Sequence, residues 1–224
     1  MFSKDEAFHP YQVQTCTELS GSIFEIHFNP LDTAIAHHPG QVCKIHCSDG
    51  KDRFYSIVNH PSEKVGIVIH LRFTDRATPA IAQLKKANTI VNISGPYGKI
   101  HSVLGKEKTR ILYAEGLGIS AFNSLIDDKK IDNHETHLIW VKDRIDDSYS
   151  QSMLDKWIKN QNSLKVFLFD KEQTTQSFNY CGDIFQKNKQ VVMAFAGSPK
   201  TSNYIKNVLL SKYQDNSIEY VSDV

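Results

Sequence analysis

The chain has 224 residues, with 26 lysines and arginines against 25 aspartates and glutamates and a formal charge of +1. That balance gives no electrostatic case for nucleic acid, and the length allows one large domain or two small ones, each with its own core. Met1 to Glu6 lacks the apolar run of a signal peptide and no apolar stretch reaches bilayer length, so a soluble cytoplasmic protein without a membrane span is expected.

From Tyr11 to about Ser94 the pattern is short strands separated by turns. Strands are expected at Tyr11–Leu19, Ile23–Phe28, Gln41–Cys47, Arg53–Val58, Gly66–Leu71 and Thr89–Ile93, with turns at Ser20-Gly21 and Asp49-Gly50. Six such strands suit a small Greek-key barrel. One helical segment, Pro79–Lys86, interrupts them, with Pro79 tolerated in its first turn.

After a charged, glycine-containing link at Gly105-Lys106-Glu107-Lys108, strands and helices alternate. Apolar strands are expected at Arg110–Ala114, His137–Val141, Leu164–Phe169 and Gln190–Ala196. Helices are expected at Ser120–Ile126, Tyr149–Lys159 and Ser202–Ser211, and Cys181 reads as part of a loop before a short helix. This alternation predicts βαβ units on a parallel sheet, with ligands at the carboxyl ends of its strands. The expected division is residues 1–104 and residues 105–224.

Arg53-Phe54-Tyr55-Ser56 concentrates the chemistry of the first half. On a strand Arg53 and Tyr55 share one face, and Phe54 and Ser56 share the other. A guanidinium beside a phenol suits an anionic ligand with a flat ring, such as a flavin nucleotide, while an ordinary strand with a surface arginine explains the same four residues. The cysteines Cys16, Cys43, Cys47 and Cys181 are scattered, the ten histidines are dispersed, and no metal set is expected.

The order of five motifs resembles the ferredoxin–NADP reductase superfamily, and within it the short bacterial NAD(P)H:flavin oxidoreductases. The motifs are Pro39-Gly40-Gln41, Arg53-Phe54-Tyr55-Ser56, Gly95-Pro96-Tyr97-Gly98, Glu115-Gly116-Leu117-Gly118-Ile119-Ser120 and Ala196-Gly197-Ser198-Pro199. The resemblance implies a flavin-binding barrel followed by a Rossmann-like NAD(P)-binding α/β domain. It implies that Arg53 holds the flavin's polar tail, that Tyr55 packs on the isoalloxazine, and that Ser56 lies near N5 as the catalytic hydroxyl. Because Tyr55 and Ser56 cannot point the same way on a regular strand, the strand is expected to bend or end there, or the serine to act through its backbone. Main-chain groups of Ile57 and Val58 are expected along the pyrimidine edge, with Phe54 and Leu71 nearby. His70 and Arg72 face the ribityl chain or, equally, form a solvated barrel surface.

In place of the family's phosphate signature stands Arg76-Ala77-Thr78-Pro79, where Thr78 is left to meet an anion and Pro79 removes a donor amide. The nucleotide turn, Glu115 to Ser120, carries a carboxylate where the family has glycine. Glu115 either turns aside toward ribose or nicotinamide or weakens nicotinamide binding. Lys142 and Arg144 follow the second strand of this half and suit a 2′-phosphate, although Asp143 between them leaves NADH and NADPH both open. Gly197 and Ser198 supply the small residues over which a dinucleotide lies. The chain's last residues offer no clear aromatic to shield the flavin's other face, so that face is expected to be open to nicotinamide. Three functions follow: a flavin reductase that uses FMN, FAD or riboflavin as substrate, an FAD-containing reductase component with a protein electron acceptor, or a non-catalytic flavin-binding module.

Overall fold

A computed structural model describes residues 7–222, apart from 75–76, 107, 129–130, 132–133, 144–146 and 159–162. The first six strands are β1 (His9–Ser20), β2 (Ile23–Pro30), β3 (Val42–His46), β4 (Asp52–Ser56), β5 (Ile67–Arg72) and β6 (Ile90–Tyr97). They form one antiparallel sheet in the order β4-β3-β6-β1-β2-β5. Inward-facing residues such as Val13, Ile26, Phe28, Ile45 and Ile69 fill its core. The helical interruption is shorter than expected: α1 (Pro79–Ala82) runs into a 3₁₀ turn at Gln83–Lys85. Strand β6 extends beyond the expected Ile93 and includes Gly95-Pro96-Tyr97.

The second half is a parallel sheet of β7 (Thr109–Glu115), β8 (Thr136–Lys142), β9 (Leu164–Asp170), β10 (Gln190–Ala196) and β11 (Ser217–Ser222), in the order β11-β10-β7-β8-β9. Its helices are α2 (Ser120–Ile126), α3 (Asp147–Ile158), α4 (Thr174–Lys187) and α5 (Pro199–Tyr204). One face of the sheet, with Leu112, Leu138 and Val192, buries Phe122 and Leu125 of α2 and Met153 and Trp157 of α3. The other face, with Tyr113, Ile139 and Met193, buries Cys181, Ile184 and Phe185 of α4. Period-2 alternation within the strands thus feeds two apolar layers.

Three expectations change here. Cys181 lies within α4 rather than in a loop, and the next residue, Gly182, packs closely: a Cβ there would come within 2.4 Å of the Tyr213 hydroxyl. The last helix begins earlier, at Pro199, and continues as a π-helical turn, Ile205–Leu209. Strand β11 was not expected from its mixed sequence, Ser217-Ile218-Glu219-Tyr220-Val221-Ser222, which lies at the sheet's edge.

The two sheets share an apolar seam. Ile23 at the start of β2 and Ile100 and Val103 in the connecting segment belong to the same core as α2. Arg110 is buried at the beginning of β7, and its guanidinium donates to the carbonyls of Val103, Leu104 and Ile131 at 3.0–3.1 Å. Its donors are satisfied although burial lowers its pKa, and they tie the connecting segment to the second sheet.

Candidate active site between the two sheets

The carboxyl ends of β7, β8 and β10 open into a cleft of about 560 Å³ whose opposite wall is the outer face of β4. Parallel strands end there, as expected for a ligand site of this topology. From the barrel come Phe54 and Ser56, and from the sheet come Glu115, Gly116, Gly118, Asp143, Gly197 and Ser198. Val42, Ile100, Val141 and Phe195 add apolar surface.

Two glycines permit the sheet side of this cleft. A Cβ on Gly118 would lie 2.2 Å from the Ala196 carbonyl oxygen, so the turn after β7 nests against the end of β10. A Cβ on Gly197 would come 2.7 Å from the Glu115 Cβ and 3.1 Å from its Oε2. That space lets Glu115 Oε2 accept the Ser198 backbone N–H at 2.9 Å. The Trp140 indole N–H donates to the Gly116 carbonyl at 2.9 Å and steadies the turn from below. Leu117 and Ile119 pack into the core instead, and the Ser120 hydroxyl donates to the Leu117 carbonyl at 2.8 Å. Of the six residues in the turn, Glu115, Gly116 and Gly118 therefore line the cleft.

On the barrel side the strand keeps its register through Ser56, which pairs with Val42, so no bend brings Tyr55 and Ser56 to one face. Phe54 is 48% exposed and meets Tyr97 edge-on at 5.8 Å. Tyr55 packs against the barrel core, and burial pushes its phenol pKa up. The aromatic that lines the cleft is therefore Phe54, whereas the partly buried Tyr55 lies on the opposite face of β4. Arg53 shares Tyr55's face and grips Asp49 with both terminal nitrogens, at 2.9 and 2.6 Å. The hydrogen bond to Arg53 pulls the Asp49 carboxyl well below its usual range. Thr78 Oγ1 lies 3.5 Å from the same guanidinium, so the two residues expected at a phosphate are neighbours, although away from the cleft.

Other expected ligand residues are engaged within the protein. The Ile57 amide donates to the Gln41 carbonyl at 2.9 Å, and the Ile57 carbonyl accepts the Ser124 hydroxyl at 3.3 Å. The Val58 amide donates to Val68, and the Val58 carbonyl accepts the Asn123 side-chain amide at 2.9 Å. The main-chain groups of Ile57 and Val58 are thus engaged by Gln41, Val68 and α2. Leu71 lies in the barrel core. His70 does not face open solvent: its ring bonds the Tyr149 hydroxyl at 2.7 Å and Glu25 Oε2 at 3.2 Å. Lys142 is held by Asp170 at 3.1 Å, and Arg76 and Arg144 lie outside the described residues.

In the sequence Asp143 only dilutes nearby positive charge. It bridges the two halves, 3.4 Å from Arg72 Nη1 and 3.5 Å from Lys171 Nζ. Asn123 and Ser124 also hold the site, and their signal is two adjacent amide and hydroxyl side chains on a helix otherwise apolar after its first residue, Ser120. Among the described residues, no group of three or more His, Cys, Asp or Glu side chains is placed to hold a metal ion. No helix among them is long and apolar enough to cross a membrane.

No protein-family profile matches the chain. Reductase component 2 of terephthalate 1,2-dioxygenase from Comamonas sp. is 32% identical over 134 residues, a match covering 58% of this chain and 40% of that protein. The matched region is thus well under two thirds of the relative's length. Phthalate dioxygenase reductase, described as a modular structure for electron transfer from pyridine nucleotides to [2Fe-2S], superposes with a TM-score of 0.68 at 15% identity. That match covers 96% of this chain and 68% of the reductase. The H286K mutant of ferredoxin–NADP+ reductase from Plasmodium falciparum, in complex with 2′P-AMP, gives a TM-score of 0.69 at 14% identity over 96% of each chain.

Proposed function

We propose that this chain, which has the ferredoxin–NADP reductase fold, is an NAD(P)H-dependent flavin oxidoreductase whose cleft brings a nicotinamide against a flavin. The observation that carries this reading is the shared cleft itself, in which Ser56 of the barrel faces the same space as the glycine-lined strand ends of the sheet. Its volume falls within the usual range of small-molecule sites, roughly 300–1,000 Å³. Apolar walls from Val42, Phe54, Ile100 and Phe195 suit a flat ring, and the close-packed glycines leave room for one. The residues present therefore fit a flavin.

When bound, the flavin supplies a hydride-accepting N5. The chain's part is orientation and exclusion of water. Phe54 and Tyr97 form an aromatic edge beside Ser56, whose hydroxyl can donate to a ring nitrogen or accept from a ring N–H. Gly116, Gly118 and Gly197 let the second ring system approach the backbone closely. Asn123 and Ser124 fix the segment after Ser56 by holding the carbonyls of Ile57 and Val58.

The Asp49–Arg53 pair supports flavin as an exchangeable substrate, since the cation meant for the polar tail is already neutralised. A second reading, a reductase component that retains FAD and passes electrons to a protein acceptor, is supported by the names of the curated relatives. The near-neutral charge supports a protein that does not bind nucleic acid, and four unpaired thiols support a reducing, cytoplasmic setting. The test is oxidation of NADH and NADPH by purified protein with added FMN, FAD or riboflavin. Colourless protein that turns over only with added flavin supports the first reading, and yellow protein reducing a protein acceptor supports the second. No oxidation under any combination leaves a non-catalytic flavin-binding module.

A further inference from the structure

We propose that Glu115 reads the nicotinamide head, accepting a carboxamide N–H through its free carboxylate oxygen and facing the positive charge the ring gains as hydride leaves. This rests on the reading that nicotinamide enters the cleft. Glu115 Oε2 is anchored by the Ser198 N–H at 2.9 Å, while Oε1 has no hydrogen-bond partner among the described residues. One oxygen fixes the side chain, which lines the space shared with Ser56, and the other is left to meet a ligand.

A carboxylate accepts hydrogen bonds and donates none, so its complement must carry an N–H, an O–H or a positive charge. A phosphate at neutral pH is repelled, and the more so the less water screens the two charges. The turn after β7 is therefore a poor seat for a diphosphate. The other carboxylate of the cleft, Asp143, is compensated by Arg72 and Lys171. Glu115 has no cation within ion-pair distance among the described residues, and it is the carboxylate left to meet a ligand.

A dihydronicotinamide supplies both complements in turn. Its carboxamide donates N–H before reaction. When its C4–H bond breaks, hydride leaves with both electrons for the flavin acceptor, and the neutral ring becomes a pyridinium cation. A carboxylate already held by Ser198 stabilises that developing charge without reorganising. Gly197 is what permits this, because any Cβ there would displace Glu115.

The test compares NAD+ with ADP-ribose, which keeps the diphosphate and ribose and lacks the nicotinamide. Calorimetric titration of the wild-type chain and of Glu115→Gln should show NAD+ weakened about tenfold, with ADP-ribose unchanged or tightened. Glu115→Asp, which keeps the charge but withdraws it by one methylene, should fall between them, with thermal unfolding confirming that both variants are folded. Equal tightening of both ligands by Glu115→Gln would show a carboxylate that only repels anions, and equal weakening would assign it to ribose; either overturns the proposal. Unchanged NAD+ affinity overturns it as well. Failure of the wild-type chain to bind NAD+, NADH or ADP-ribose removes the reductase reading itself, and this inference with it.

Discussion

His70 of β5 and Tyr149 of α3 meet ring nitrogen to hydroxyl at 2.7 Å, so a buried polar contact joins the barrel to the parallel-sheet domain. The other ring nitrogen of His70 faces Glu25 at 3.2 Å, and His27 bonds the second oxygen of the same carboxylate at 2.8 Å. Tyr149 also packs edge-on against Trp140, whose indole holds the nucleotide turn. His70, expected at the ribityl chain or equally on a solvated barrel surface, thus acts as a tie between domains.

That tie makes stability depend on acid. The hydrogen bond from His70, assisted by His27, holds the Glu25 carboxyl at about 2, below its ordinary value. A depressed carboxylate pKa contributes stability that is complete above the unfolded value, roughly 4.5, and is lost as pH falls through the folded one. The window is therefore from about pH 4.5 down to about 2. The contribution is at most about 3 kcal/mol, reduced by solvent screening of the partly exposed carboxylate. Denaturant unfolding of wild type and Glu25→Gln should converge toward low pH and separate above about pH 5. Parallel curves across that range would remove Glu25 as the cause.

Gly118 gives a steric test of the cleft. An added Cβ must displace the Ala196 carbonyl, because the contacting atom is backbone and cannot rotate away. Gly118→Ala should cost about 1–3 kcal/mol of stability and weaken NADH binding, whereas Gly105→Ala, where a Cβ meets nothing within 4 Å, should do neither. Chemical denaturation and calorimetry read the two effects separately. Equal behaviour of the two variants would show that the nested turn is not needed.

How much of this was legible in the sequence depended on which physical signal each residue carried. Alternation identified the six barrel strands, and it also foretold that Phe54 and Ser56 part company with Arg53 and Tyr55. The motif resemblance pulled Tyr55 toward the ligand, but the unbroken β3–β4 register keeps it on the barrel core. The glycines of the turn were visible, whereas their reason, the approach of β7's turn to the end of β10, depends on residues about 80 positions apart. Asp49 read as a simple turn residue because its partner Arg53 was already assigned to a ligand. His70 gave no sequence sign of Tyr149, since that contact exists only once two domains pack.

The Asp49–Arg53 pair sets an expectation for flavin choice. With both terminal nitrogens on one carboxylate, the guanidinium offers a phosphate little unneutralised charge. Asp49→Asn releases it, and FMN should bind roughly three- to tenfold more tightly, with riboflavin, which has no phosphate, unchanged. Fluorescence titration of both flavins measures this directly. A matching gain for riboflavin would mean that the substitution acts through the barrel rather than through charge.

The end of β8 bears on the choice of nicotinamide nucleotide. In nucleotide-binding βαβ folds an acidic side chain near this position accepts the ribose 2′-hydroxyl, while a 2′-phosphate calls for an available cation. Here Lys142 is tied to Asp170, and Lys171 and Arg72 flank Asp143. Carboxylates thus offset the described cations on this side of the cleft, and NADH should be used at least about tenfold better than NADPH in kcat/KM, a difference of ~1.4 kcal/mol. Asp170→Asn weakens one ion pair of Lys142 and should narrow that ratio by raising kcat/KM for NADPH while leaving NADH nearly unchanged. Because Asp170 also accepts the Gln173 backbone N–H in a capping box, Asp170→Ser is the control that retains a capping oxygen. Equal use of the two nucleotides by the wild-type chain would show that the Lys142–Asp170 pair does not govern the choice.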